Sequence, residues 1–232
     1  AGDALFYDID PAGPFDFGSH LVTLTVTDGV AAASCQTKIH VTDDTPPAVE
    51  GPADVTIECG NSTNPNNTGQ ATTTDNCDAT PDISYSDVNT PGSCPAEKTI
   101  TRIWTARDAS GNSSIETQNI TVQDTTAPVI SCNSLATITP PDAPISFTAS
   151  AVDNCDGSPS VVITGYDCYK YTKKGKRIDK TESCVVEMTG DQITILDSGG
   201  VDDHIEWTVE ATDNCDNIST GQCEVSVVNP AK

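Results

Sequence analysis

The residues best placed to do chemistry are carboxylates gathered in short, repeated loops. Thr74-Asp75-Asn76-Cys77-Asp78 is echoed by Val152-Asp153-Asn154-Cys155-Asp156, and Ala106-Arg107-Asp108-Ala109-Ser110-Gly111-Asn112 by Ala211-Thr212-Asp213-Asn214-Cys215-Asp216-Asn217. A third motif, Val41-Thr42-Asp43-Asp44-Thr45-Pro46-Pro47, returns 81 residues later as Val122-Gln123-Asp124-Thr125-Thr126-Ala127-Pro128. Clustered Asp and Asn oxygens on loops match the needs of Ca2+, which takes about six to eight hard oxygen ligands in flexible geometry. If each repeat is entered near its top loops, Asp43 and Asp44 face Asp75, Asp78 and Asp108, while Asp124 faces Asp153, Asp156, Asp213 and Asp216. These ten carboxylates are the candidate metal ligands and Ca2+ the candidate cofactor. No helix-flanked calcium-loop signature is present, and Asp-Asn pairs are also ordinary turn chemistry, so the turn-only reading stands beside the metal reading.

The elements that must carry these loops are β-strands. Thr, Val, Ile and Ser recur in alternating runs such as Val22-Thr23-Leu24-Thr25-Val26-Thr27, and turn residues punctuate them. With 232 residues, the chain has room for two ordinary domains and part of another. The clearest strands of the middle repeat are expected over Asp54–Glu58, Gln70–Thr74, Asp82–Tyr85, Thr99–Ala106 and Glu116–Val122, within about seven short strands per repeat. The expected fold class is all-β, as tandem immunoglobulin-like β-sandwiches. The boundaries are 1–43 for the C-terminal part of an incomplete repeat, 44–124 for a full repeat, and 125–232 for another with an inserted basic hairpin over 166–186. In the first segment one hairpin is expected, Leu21–Thr27 and Cys35–Val41 joined through Asp28-Gly29, and an isolated hairpin is marginal in water.

These residues resemble hyalin repeats and related bacterial immunoglobulin-like repeats. The resemblance rests on the Asp-Thr-x-x-Pro linker at Asp44, the Asp-Asn-Cys loops and the stretch Ile100-Thr101-Arg102-Ile103-Trp104-Thr105-Ala106-Arg107-Asp108, and is weaker over Asp167–Val201. It implies an extracellular module of adhesion or scaffolding, without catalytic residues.

Ten Cys lacking the tight pairs of a zinc ribbon point to an oxidising, extracellular or cell-surface setting. Cys132 after the linker proline and Cys223 on the last strand should bond where first and last strands adjoin. Cys155 and Cys215 lie in loops at one end of the sandwich and are expected to bond, and Cys168 and Cys184 flank the turn Lys174-Gly175-Lys176-Arg177 as a hairpin disulfide would. Cys59 and Cys94 are the expected pair of the middle repeat, which leaves Cys35 and Cys77 unpaired or interchain.

A net charge of −23 opposes nucleic acid and anionic membranes as partners, and no apolar run reaches the roughly 20 residues of a membrane span. Against that background six of the 11 basic residues fall together, Lys170, Lys173, Lys174, Lys176, Arg177 and Lys180, beside Tyr166, Tyr169 and Tyr171. This basic hairpin is the candidate partner-binding element, toward neighbouring copies of the chain, further repeats or an acidic polysaccharide. His20, His40 and His204 sit in no nucleophile or metal-hydrolase motif, so no enzyme is expected. The function expected is an extracellular structural or adhesive repeat protein, possible subunit of a self-assembling surface filament with inter-subunit completion of the first domain. The alternative is a carbohydrate- or ligand-binding accessory module of a larger secreted protein.

Overall fold

The computed structural model describes residues 4–139 and 144–229. Their strands are β1 (Phe6–Asp10), β2 (Gly18–Thr27), β3 (Ala32–Val41), β4 (Ala48–Glu50), β5 (Val55–Glu58), β6 (Thr72–Thr74), β7 (Asp82–Pro91), β8 (Lys98–Arg107) and β9 (Ser113–Gln123). They continue with β10 (Val129–Asn133), β11 (Thr137–Ile138), β12 (Ile145–Val152), β13 (Ser160–Tyr171), β14 (Arg177–Asp179), β15 (Val185–Thr189), β16 (Gln192–Asp197), β17 (Asp203–Thr212) and β18 (Ile218–Val227). A single turn of helix, α1 (Pro65–Thr68), interrupts them. The fold is all-β, in tandem sandwich repeats. Two compact units divide it, one of Ala1–Ala53, Pro65–Val88 and Thr101–Gln118, the other of Asp54–Asn64, Asn89–Ile100 and Asn119–Lys232, so the division passes through the middle repeat.

In the first unit, β1, β2 and β3 form an antiparallel sheet in that order. The β2–β3 hairpin turns at Asp28, whose Oδ1 accepts from the amides of Val30 and Ala31 at 2.8 and 2.7 Å. These bonds, the Ala31 amide first, hold the Asp28 carboxyl below its ordinary range. The sequence pattern missed β1, whose run Phe6-Tyr7-Asp8-Ile9-Asp10 is too short to declare a period and pairs with β2 only through tertiary context. The same unit holds an unusual polar interior. Arg102 is 1% exposed; its Nε and Nη2 donate to Asp87 at 2.8 and 2.9 Å and its Nη1 to the Thr68 hydroxyl at 2.9 Å. Its Cζ also lies 4.5 Å from the Tyr85 ring centroid. Gln118, fully buried, donates to the carbonyls of Ala53 and Thr68 at 2.9 and 2.6 Å. Those three bonds are what make guanidinium burial tolerable, because they replace water at the N–H groups they engage.

The second unit contains a complete two-sheet sandwich, β10-β12-β16-β15 and β11-β18-β17-β13-β14. Strict alternation along β17 buries Ile205, Trp207, Val209 and Ala211 on the inner face. Phe147 of β12 stacks on Trp207 at 5.8 Å between centroids, which closes the two layers around a single core with Ile193, Ile195 and Val225. Cys132 of β10 and Cys223 of β18 are bonded across the layers, Cα atoms 5.7 Å apart, and Cys168 is bonded to Cys184 at 6.6 Å. A smaller core in this unit joins Cys59, Ile100, Ile120 and Val122, where β5 runs parallel to the end of β9.

The other two disulfides correct the pairing expected from sequence. Cys59 bonds to Cys155 and Cys94 to Cys215, with Cα atoms 5.9 and 5.2 Å apart, in place of Cys59–Cys94 and Cys155–Cys215. The reason is local. The carboxylate of Asp153 holds the amides of Cys155 and Asp156 at 2.8 and 2.9 Å, and that of Asp213 holds the amides of Cys215 and Asn217 at 2.8 and 2.9 Å. The parallel β5–β9 pairing ends with the Cys59 amide donating to the Gln123 carbonyl at 2.7 Å, directly before the linker Asp124. The loop sulfurs of Cys155 and Cys215 thus meet Cys59 and Cys94 of the repeat before them. Cys35 and Cys77 are free and exposed.

Candidate metal centres

Each linker aspartate folds back on its own chain. Asp43 Oδ1 accepts from the Thr45 amide at 3.1 Å and Asp124 Oδ1 from the Thr126 amide at 3.3 Å, which leaves Oδ2 of each for other work. The second loop repeats the device: Asp75 Oδ1 takes the amides of Cys77 and Asp78, both at 2.8 Å, as Asp153 does for Cys155 and Asp156. The third aspartate is held by an asparagine four residues on. Asn112 donates from its amide to Asp108 Oδ1 at 2.8 Å and from Nδ2 to Asp108 Oδ2 at 2.9 Å and to the Asp43 carbonyl at 3.1 Å. Asn217 makes the corresponding bonds to Asp213 and the Asp124 carbonyl, at 2.9, 2.9 and 3.1 Å.

The outcome is two triads, Asp43–Asp75–Asp108 and Asp124–Asp153–Asp213, each with one carboxylate oxygen per residue lying within 4.8 Å of the others. Seven buried side-chain polar atoms have no hydrogen-bond partner among the described residues, and four of them are Oδ2 of Asp43, Asp75, Asp124 and Asp153. Two orphaned carboxylate oxygens therefore lie in each triad. Burying anionic oxygen without a donor costs several kcal/mol, a cost that a cation between the carboxylates would relieve. Asp108 and Asp213 are each 5% exposed and Asp124 is 4% exposed. Burial pushes the Asp124 carboxyl up, the Thr126 amide opposes this, and the negative charges of Asp213, Asp153 and Glu58 add to the rise. At Asp108 and Asp213 burial also pushes upward, but the Asn112 and Asn217 hydrogen bonds outweigh it and hold both below the ordinary carboxylate range. Burial and the charges of Asp43, Asp75 and Asp108 push the nearby Cys77 thiol up.

The donor set fits Ca2+. It is all oxygen and triply anionic, with one oxygen from each aspartate within 4.8 Å of the other two, as hard-oxygen coordination of a single ion requires. Cys59, Asp124 and Cys155 also approach one another, but both sulfurs are spent in a disulfide and offer no thiolate.

Four of the ten candidate ligands, Asp44, Asp78, Asp156 and Asp216, lie outside the two triads. Asp78 Oδ2 accepts from the Ala109 amide at 2.9 Å and Asp156 Oδ2 from the Asn214 amide at 3.0 Å, so both staple neighbouring loops. Asp44 and Asp216 are exposed, and Asp216 takes a left-handed turn conformation with φ 65°. Asn112 and Asn217, which sequence reasoning did not select, organise the triads; their signal was the shared four-residue spacing from Asp108 and Asp213.

The basic hairpin separates into two parts. Lys170 Nζ donates to the Val201 carbonyl at 2.8 Å, and Arg177 lies 3.9 Å from the Tyr169 ring centroid while pairing with Asp167 at 3.3 Å. Lys173, Lys174 and Lys176 are exposed at the tip, and Lys180 is half-buried. Trp104 and Trp207, 4% and 1% exposed, form no open aromatic platform.

No protein-family model matches the sequence, and no curated protein sequence matches it, so the hyalin-repeat resemblance rests on its motifs. Among solved structures the chain is similar to extracellular cadherin repeats. Mouse cadherin-23 EC22–24 is 17% identical, over 90% of this chain and 74% of that one, with a TM-score of 0.33. Mouse clustered protocadherin gamma C3 EC1–3 is 16% identical, over 91% and 76%, with a TM-score of 0.34. The protocadherin gamma B7 EC3–6 cis-dimer is 10% identical, over 98% and 69%, with a TM-score of 0.37. The sandwich assignment stands on the strand order described above.

Proposed function

We propose that this chain is an extracellular structural and adhesive repeat protein whose successive repeats, 1–43, 44–124 and 125–232, are joined through calcium-braced linkers. The observation that carries the reading is the pair of buried, donorless carboxylate oxygens in each triad, from the linker aspartate and the Asp-Asn-Cys loop. Asp43, Asp75 and Asp108 hold one ion and Asp124, Asp153 and Asp213 the other. Bound Ca2+ offsets two of the triad's three negative charges and ties linker to loop, which stiffens the entry of each repeat. Four disulfides support an oxidising compartment outside the cell.

Adhesion is to further copies of the same chain, and charge supports it. Lys173, Lys174 and Lys176 project from the β13–β14 hairpin of a molecule with net charge −23, so each copy offers both a cationic tip and a broad anionic surface. Light scattering in calcium and then in chelator tests the reading. Higher-mass species in calcium that dissociate in chelator, and that Lys173→Glu/Lys174→Glu/Lys176→Glu abolishes, are expected. A monomer at high concentration in both conditions overturns self-adhesion.

A further inference from the structure

The two free cysteines, the edge of β3 and one face of the β1–β3 sheet share one explanation. The register places Tyr7, Val26 and Ala33 in one row of that sheet and Ile9, Leu24 and Cys35 in the next. Side chains paired across strands share a face, so this face is apolar, and the rows beside it, such as Asp8, Thr25 and Ser34, are polar. Val22, further along this face, is 4% exposed, but Tyr7 is 76% exposed, Ile9 42% and Leu24 37%, so no second layer covers these three among the described residues.

The other repeats show what belongs there. In both, the last strand is flanked on its outer edge by a parallel strand, β5 beside β9 and β11 beside β18; among the described residues β3 has no such neighbour. In the third repeat the sheet containing β17 and β18 is covered by β10, β12, β16 and β15, and Cys223, opposite Trp207 in register, is bonded to Cys132 of that cover. Cys35, opposite Leu24, stands on the apolar face of β3 in the corresponding way.

Cys77 completes the case. Its loop matches that of Cys155 bond for bond. Asp75 holds Cys77 and Asp78 as Asp153 holds Cys155 and Asp156; Asp78 holds Thr80 and Ala109, as Asp156 holds Ser158 and Asn214. Cys155 is bonded to Cys59, the residue just past the parallel edge strand of the preceding repeat.

We propose that the apolar face and open edge of the β1–β3 sheet are covered by the first half of the same repeat, a β-layer running ahead of β1 in the polypeptide, and that this layer carries two cysteines. One lies on its first strand and bonds to Cys35, as Cys132 does to Cys223. The other ends its parallel edge strand and bonds to Cys77, as Cys59 does to Cys155. The strand order supports the source: in the middle repeat β4, β5 and β6 precede β7, β8 and β9, and β1, β2 and β3 hold the places of β7, β8 and β9 in their sheet. The inference is independent of calcium, since it rests on register and disulfides.

Disulfide mapping of the native protein, purified with thiols blocked and digested without reduction, tests it. The expected result is two cross-linked peptide pairs, one containing Cys35 and one Cys77, each joined to a different cysteine from sequence preceding β1 in the same polypeptide. A blocked free thiol at either position, a Cys35–Cys77 bond, or a bond to another copy or another protein overturns the proposal.

Discussion

The Asn217 side chain donates to the main-chain carbonyl of Asp124 at 3.1 Å, and the same nitrogen reaches Asp213 Oδ2 at 2.9 Å. One amide therefore couples the linker to the loop that ends β17, and Asn112 does the same for Asp43 and Asp108. Residues that orient ligands in this way typically contribute about 10–100-fold to metal affinity. Asn217→Ala is expected to weaken one calcium site by about that factor and leave the other unchanged, as measured by calorimetric titration.

The buried Arg102–Asp87 pair makes a separate prediction. Asp87→Ala leaves the guanidinium without its two carboxylate bonds while the side chain stays 1% exposed. Breaking such a pair from one side costs about 3–5 kcal/mol. A half-exposed partner moderates this, so a loss of about 3 kcal/mol in denaturant unfolding is expected, with a smaller loss for Arg102→Met paired with Asp87→Leu.

Disulfide connectivity can be read without any variant. Non-reducing digestion should yield Cys59–Cys155 and Cys94–Cys215 peptides, and Cys59→Ser/Cys155→Ser should cost about 2–4 kcal/mol, because the bond closes a long loop, its ends separated by 96 positions in sequence. Recovery of Cys59–Cys94 would overturn the observed connectivity.

Tyr169 sets an alkaline limit. Burial, then the charges of Glu224 and Glu206, push its hydroxyl from 10.0 up to about 12. The folded state keeps this proton where the unfolded chain has lost it, so the stabilising contribution is complete below pH 10 and is lost as pH rises toward about 12. Wild-type protein should lose more stability across that window than Tyr169→Phe, as seen by urea unfolding at a series of pH values.

Much of this was legible in the residues. The repeated Asp-Asn-Cys motifs located the aspartate-rich loops, and alternation located β2, β3, β8 and β9, because period-two patterning reports directly which face is buried. The strand count was less legible: β4 to β9 make six strands in the middle repeat, against about seven expected. The connectivity of Cys59, Cys94, Cys155 and Cys215 was hidden for a different reason. Sulfur direction follows from Asx turns and from the parallel β5–β9 pairing, neither of which sequence spacing encodes. The same limit placed Asp78 and Asp156 among the ligands, although their carboxylates are engaged by the amides of Ala109 and Asn214.

Calcium titration by isothermal calorimetry tests the central claim most directly. The account predicts two ions per chain, and one ion for Asp124→Asn/Asp153→Asn, with the remaining site at Asp43, Asp75 and Asp108 unaltered. No binding at millimolar calcium, or two sites retained in that variant, would contradict it.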